Sequence, residues 1–146
     1  MTSTQRWLVP AVEVFTVGLP FCAFKLLTGM IAVRSSLAPL GFALVALGLV
    51  DLVLNTFNLV ALITVRRRVS GVCFVELALR LLGRRADVGL AIDVFVSFGL
   101  VAAVVGLGLI PRIPVWALPL WNLAVVLNVL GAGVGRLISA LRPVHD

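Results

Sequence analysis

From Leu37 to Val65 the chain carries a single charged side chain, Asp51, and this is one of four long apolar stretches. The others run from about Trp7 to Val33, Val88 to Ile110 and Ile113 to Gly135, interrupted only by Glu13 and Lys25 in the first and Asp93 in the third. A helix needs about 20 consecutive apolar residues to cross a bilayer core, where its backbone hydrogen bonds must be satisfied internally. Four such stretches occupy most of the 146 residues. With 62% hydrophobic and 12% charged residues, too little polar surface remains to cover a water-soluble domain of this size. A soluble enzyme, a disordered chain and a disulfide-stapled secreted module are excluded. The pattern predicts an all-α integral membrane protein: one four-transmembrane-helix bundle with spans at about 7–33, 37–65, 88–110 and 113–135. A cytoplasmic basic loop, 66–87, joins the second span to the third and contains a short amphipathic interfacial helix.

The first span is the least regular. A signal peptide competes for this segment, which follows Arg6, but Glu13 interrupts its apolar run and no small-x-small cleavage site follows. It is read as a retained helix kinked at Pro20, which lacks a backbone donor. The Pro111-Arg112-Ile113-Pro114 turn between the last two spans makes them an antiparallel hairpin.

Charge sets the orientation. The net charge of +6 arises from eleven arginines and one lysine against six acids. Arg66, Arg67, Arg68, Arg80, Arg84 and Arg85 all fall in the connecting segment, so the basic character points to anionic lipid headgroups rather than nucleic acid. With that loop and both termini inside, nine arginines face the cytoplasm, the remaining three being Arg6, Arg136 and Arg142, while only Arg34 and Arg112 lie outside. A bacterial inner membrane is the expected location, with Trp7 and Trp116 anchoring at its two interfaces. Between Val72 and Leu82, Glu76, Arg80 and Arg84 share one helical face among apolar neighbours, as in a helix lying in the headgroup plane. Extension of a neighbouring span is the competing reading.

Charged or amide side chains inside a span cost several kcal/mol if they face lipid, so they mark the interior of the bundle. Asp51, Asn55 and Asn58 recur at helical spacing on the second span, Asp93 and Ser97 stand four apart on the third, and Asn128, Gly131 and Gly135 follow the same rule on the fourth. At about 1.5 Å per residue, Glu13, Asn58 and Asp93 lie roughly 8–11 Å from the cytoplasmic ends, with Asn128 slightly deeper. These four form a candidate layer of two carboxylates and two amides. Lys25 lies in the outer half and is expected to bridge to Asp51, with Arg136 reaching toward Asp93. Asn122 is the other polar residue of the outer half. The buried acids are candidates for proton or cation binding, and the amides for interhelical hydrogen bonds. Gly99 with Ala103, Ala102 with Gly106, and Gly131 with Gly135 form small-xxx-small pairs that permit close helix approach.

Catalytic, cofactor and metal signals are absent from the sequence. His145 is the sole histidine and there is no tyrosine, which leaves no His-rich metal site, no haem ligation by an intramembrane histidine and no Ser-His-Asp triad. Cys22 and Cys73 fall at opposite ends of the predicted bundle and are expected to remain free thiols. The leading expectation is a non-catalytic membrane subunit or scaffold that assembles with itself or a larger complex. The alternative is a small oligomeric channel or carrier for protons, cations or a small solute, using the intramembrane carboxylates. A lipid-modifying membrane enzyme is the weakest reading.

Overall fold

The computed structural model describes residues 10–67, 71 and 73–140, and the side chains of all of these except 86, 132 and 134–140. Arg6, Trp7, Arg68, Arg142 and His145 lie outside the described residues, as does the side chain of Arg136. The described chain is all-helical. A π-helical segment, Val14–Gly18, leads into α1, Leu19–Val33; α2 is Ala38–Val65, α3 Phe74–Leu81, α4 Ala86–Gly106 and α5 Leu118–Ala140. Two 3₁₀ turns, Ile110–Arg112 and Val115–Ala117, connect α4 to α5.

Three helical stretches are long and apolar enough to cross a membrane: Pro10–Val33, Ala38–Val65 and Asp87–Gly106. The stretch Val115–Gly131 is apolar but shorter. The predicted fourth span from Ile113 differs at its start, because Pro114 imposes an extended kink and a 3₁₀ turn before α5 begins at Leu118.

Pro20 lacks the N–H that would return to the Thr16 carbonyl, and the turn preceding it is wound as a π-helix. The helix widens locally there and remains continuous into α1. The chain then reverses over four residues. Ser35 Oγ donates to the Ala32 carbonyl at 2.7 Å and accepts from Leu37 N–H at 3.2 Å, and a proline opens α2.

Two helices joined so tightly must pack antiparallel, and their facing residues are small. A Cβ on Gly41 would stand 2.4 Å from the Val33 nitrogen and 2.8 Å from the Gly29 carbonyl oxygen, so glycine is what lets these backbones meet. The buried stripe of α2 runs Gly41, Leu44, Gly48, Asp51, Asn55, Asn58 and Leu62. Its alternating spacing of three and four is that of a seam between packed helices.

The opposite side of α1 is aromatic and aliphatic. Phe21, Phe24, Leu27 and Ile31 pack with Val104, Ile113, Ala117, Trp121 and Ala124, and the Phe24 and Trp121 rings meet edge-on with centroids 5.2 Å apart. Contacted by α2, α4 and α5, α1 is the central helix: in the most apolar 18 residues of Pro10–Val33 61% are buried within the protein, against 28% in those of Ala38–Val65 and 22% in those of Asp87–Gly106.

The exterior reverses the arrangement of a soluble protein. Phe95 is 81% exposed and Ile63 70%, whereas Lys25, Asp51 and Asp93 are 3%, 2% and 5% exposed. An outer surface of this kind belongs in hydrocarbon.

The segment after α2 adds contacts that the sequence reading did not contain. Arg66 takes a left-handed conformation (φ 51°) and ends α2. Gly71 then lies beside Asn58, whose amide donates to its carbonyl at 2.9 Å, and Phe74 N–H donates to Asp51 Oδ1 at 2.6 Å. Gly71 and the start of α3 therefore lie beside the middle of α2. A short helix was expected over 72–82 and α3 occupies Phe74–Leu81; its first turn is docked on α2, and Glu76 is buried with it. The physical reason is that α3 can approach α4 closely: a Cβ on Gly89 would fall 2.7 Å from the Glu76 Cα.

Candidate functional site

Lys25 of α1, Asp51 of α2 and Asp93 of α4 converge in the interior. Lys25 Nζ donates to Asp51 Oδ2 at 2.5 Å and also to Asp93 Oδ1. Their side chains are 4%, 3% and 7% exposed. Asp51 is the best held of the three, since its second oxygen accepts the Phe74 N–H at the start of α3. The first N–H groups of a helix have no intrahelical acceptor and carry the positive end of its dipole, so α3 supplies a fixed donor and a partial positive charge to this carboxylate.

Cys73 makes that docking possible. It caps α3 in extended conformation (φ −139°, ψ 160°), with Sγ accepting from Glu76 N–H at 3.4 Å. Glu76 Oε1 in turn accepts from Arg80 at 2.8 Å, so the expected Glu76–Arg80 face exists, with its acid buried and its base exposed. Cys73-Phe74-Val75-Glu76 has the shape of a capping box with cysteine in place of serine, a sequence signal that could have located the helix start.

The amides surround the cluster. Asn55 Nδ2 donates to the Asp51 carbonyl at 2.8 Å and to Cys22 Sγ at 3.6 Å, while Cys22 Sγ donates to the Gly18 carbonyl at 3.1 Å. Cys22 and Cys73 are both buried free thiols, on residues bordering Asn55 and Phe74 of the same network. This corrects the expectation that they sit at opposite ends: the fold-back after α2 carries Cys73 inward. On the far side, Asn128 Nδ2 reaches the Thr16 carbonyl at 3.4 Å. Thr16 O is the carbonyl that Pro20 cannot serve, and a Cβ on Gly131 would stand 2.3 Å from the Thr16 side chain. The predicted Asn128–Gly131 stripe is therefore the surface that receives the π segment.

The members of the predicted layer, Glu13, Asn58, Asp93 and Asn128, have the following partners and surroundings. Asp93 goes to Lys25, Asn58 to Gly71 and Asn128 to Thr16, while Glu13 is half-buried immediately before the π segment. The expected Lys25–Asp51 bridge is present, but Lys25 takes the role expected of Arg136 toward Asp93 as well. Ser97, one turn beyond Asp93, is fully buried; its hydroxyl and that of Thr28 make no hydrogen bond among the described residues. Asn122 is exposed on the outer side of α5, away from the cluster. Arg66, Arg67, Arg80, Arg84 and Arg85 are all exposed, and Arg85 pairs with Asp87 at 2.5 Å.

A cavity of about 80 Å³ adjoins the cluster. Lys25, Asp51 and Asp93 line it together with Leu44, Leu47, Phe74, Val75, Ile92 and Val96, and its surface is almost wholly apolar. Neither the sequence spacing nor the charge count indicated this space. Among the described residues no group of three or more His, Cys, Asp or Glu side chains is placed to hold a metal ion. The arrangement can hold one more positive charge, since two carboxylates face one ammonium. No protein-family model, curated protein or solved structure matches this chain.

Proposed function

We propose that this chain is a small integral membrane protein that exchanges protons or another monovalent cation at the Lys25–Asp51–Asp93 cluster, as a carrier or channel subunit. The observation that supports this is the convergence of two carboxylates from different helices on one ammonium, with the first turn of α3 aimed at the same point. Packing alone does not call for these charges. The α1–α2 seam is already closed by Gly29 and Gly41, and apolar side chains of similar volume generally hold a core as well as or better than a buried ion cluster. Intramembrane ionisable groups are retained where they bind or move charge. One ammonium neutralises one carboxylate, and the second carboxylate carries the exchangeable site.

In this reading α2, about 42 Å long, spans the bilayer with Asp51 near its centre. The segment after it re-enters from the cytoplasmic side, a course tolerated only where protein covers the backbone. α5 supplies a fourth crossing, both termini are cytoplasmic, and the membrane is a bacterial inner membrane. The exposed arginines of 66–85 meet anionic headgroups. Proteoliposomes carrying a pH gradient and an internal pH dye test the function. Wild type should dissipate the gradient, and Asp51→Asn and Asp93→Asn should slow this at least tenfold. Rates equal to wild type in both variants would remove the proposal.

The second reading, a non-catalytic subunit assembling with itself or a larger complex, is favoured by one observation. Gly99, Ala102, Ala103 and Gly106 are exposed on α4, and a Cβ on either glycine would meet nothing within 4 Å. Native mass measurement in mild detergent tests it, a monomer counting against it. A lipid-modifying enzyme is least supported, because the three ionisable groups of the site are engaged with one another.

A further inference from the structure

We propose that the cavity between α2 and α4 is a binding site for the head of an amphiphilic primary amine entering sideways from the membrane. Three observations carry this. Charge comes first: two aspartates and one lysine leave the residues lining the cavity with an excess negative charge. The free acceptor comes second. Asp51 uses both oxygens, toward Lys25 and Phe74 N–H, but Asp93 is held through Oδ1 alone, and its Oδ2 receives no hydrogen bond from the described residues. A side chain this buried normally has its acceptors filled, so the remaining oxygen has the chemistry to take an N–H donor.

The third observation is the doorway. Phe74, Ile92 and Val96 line the cavity and are themselves 44%, 44% and 40% exposed, on the apolar flank of the bundle. A small hydrated metal ion would find no polar group on those walls. An alkylammonium fits both halves: its –NH₃⁺ reaches Asp93 Oδ2 in a space of about 80 Å³, and its hydrocarbon tail lies along Ile92 and Val96 in the lipid phase. A cavity of this size has room for a water-sized group, and an ammonium head is of that size.

This inference builds on the cluster as an exchange site, and the following experiment separates the two. Thermal unfolding of the purified protein in maltoside micelles is measured with decylammonium, decanol and decyl sulfate. Decylammonium should raise the midpoint saturably, by about 5 °C at a hundredfold excess over its Kd, and the other two should not. Asp93→Asn should abolish the rise. Val96→Trp, which fills the doorway at a partly exposed position, should abolish it too. Equal shifts with decanol, or a shift surviving in either variant, would overturn the assignment. A decylammonium shift without proton flux in wild type would sink the exchange reading and leave the amine site standing.

Discussion

Replacing Phe74 by proline removes one hydrogen atom of consequence, the N–H that Asp51 Oδ1 accepts at 2.6 Å. The backbone tolerates the change. Phe74 is the first residue of α3, where proline is favoured, and Cys73 is already extended at φ −139° and ψ 160°, as a residue preceding proline requires. The ring is 44% exposed, and its loss is matched by the control Phe74→Ala. A hydrogen bond to a charged, buried acceptor contributes about 1.5–3 kcal/mol. Proline offsets about 0.4–1 kcal/mol of this by restricting the unfolded chain. Phe74→Pro should therefore be about 1–2 kcal/mol less stable than Phe74→Ala. Unfolding by sodium dodecyl sulfate in mixed micelles, followed by tryptophan fluorescence, measures the difference. Trp121, 2% exposed against Phe24, reports on core opening. The sign is decisive. Were the start of α3 solvated at a membrane surface, proline at this position would be neutral or stabilising, and that outcome would refute the docking of α3 on Asp51.

Three further outcomes are expected. Lys25→Met leaves two buried carboxylates without their cation and should cost about 3–5 kcal/mol by the same unfolding assay. Adding Asp51→Asn and Asp93→Asn to it should recover most of that loss, and strictly additive costs would show that the three do not act as one unit. Gly41→Leu must push α1 and α2 apart, because even its Cβ meets the Val33 nitrogen at 2.4 Å; a loss of about 1–3 kcal/mol or more is expected, and an unchanged midpoint would contradict the close seam. Asn128→Ala should cost about 1 kcal/mol in wild type and clearly less in a Pro20→Ala background, where residue 20 regains an N–H for the Thr16 carbonyl. Equal costs in the two backgrounds would detach Asn128 from the π segment.

Legibility in the sequence followed the physics of each feature. The stripe Asp51, Asn55, Asn58 was readable because helical spacing assigns a face, and all three are indeed 2% exposed or less. An irregularity before Pro20 was readable because a missing donor is a property of the residue itself. Lys25 with Asp51 followed from two opposite charges in adjacent antiparallel helices. Asp93 joining them did not, because its helix is separated from α1 by the whole of α2 and α3 in sequence, and periodicity names no partner. Asn122 shows the converse limit: an amide in an apolar span was expected inside, and it sits on the outer side of α5.

Hydropathy and spacing alone therefore determined that this chain is helical, that three stretches are long and apolar enough to cross a membrane, and that Asp51, Asn55 and Asn58 share a buried face. Those are one-dimensional properties, set by how often a residue type recurs. The tertiary structure decided that a single ammonium serves two aspartates, that Phe74 N–H completes Asp51, and that a cavity opens beside Asp93. A backbone N–H at the start of a helix is present in every helix and leaves no mark in the sequence. Where it points is set by how α3 packs, and α3 lies close against α4 where Gly89 carries no side chain.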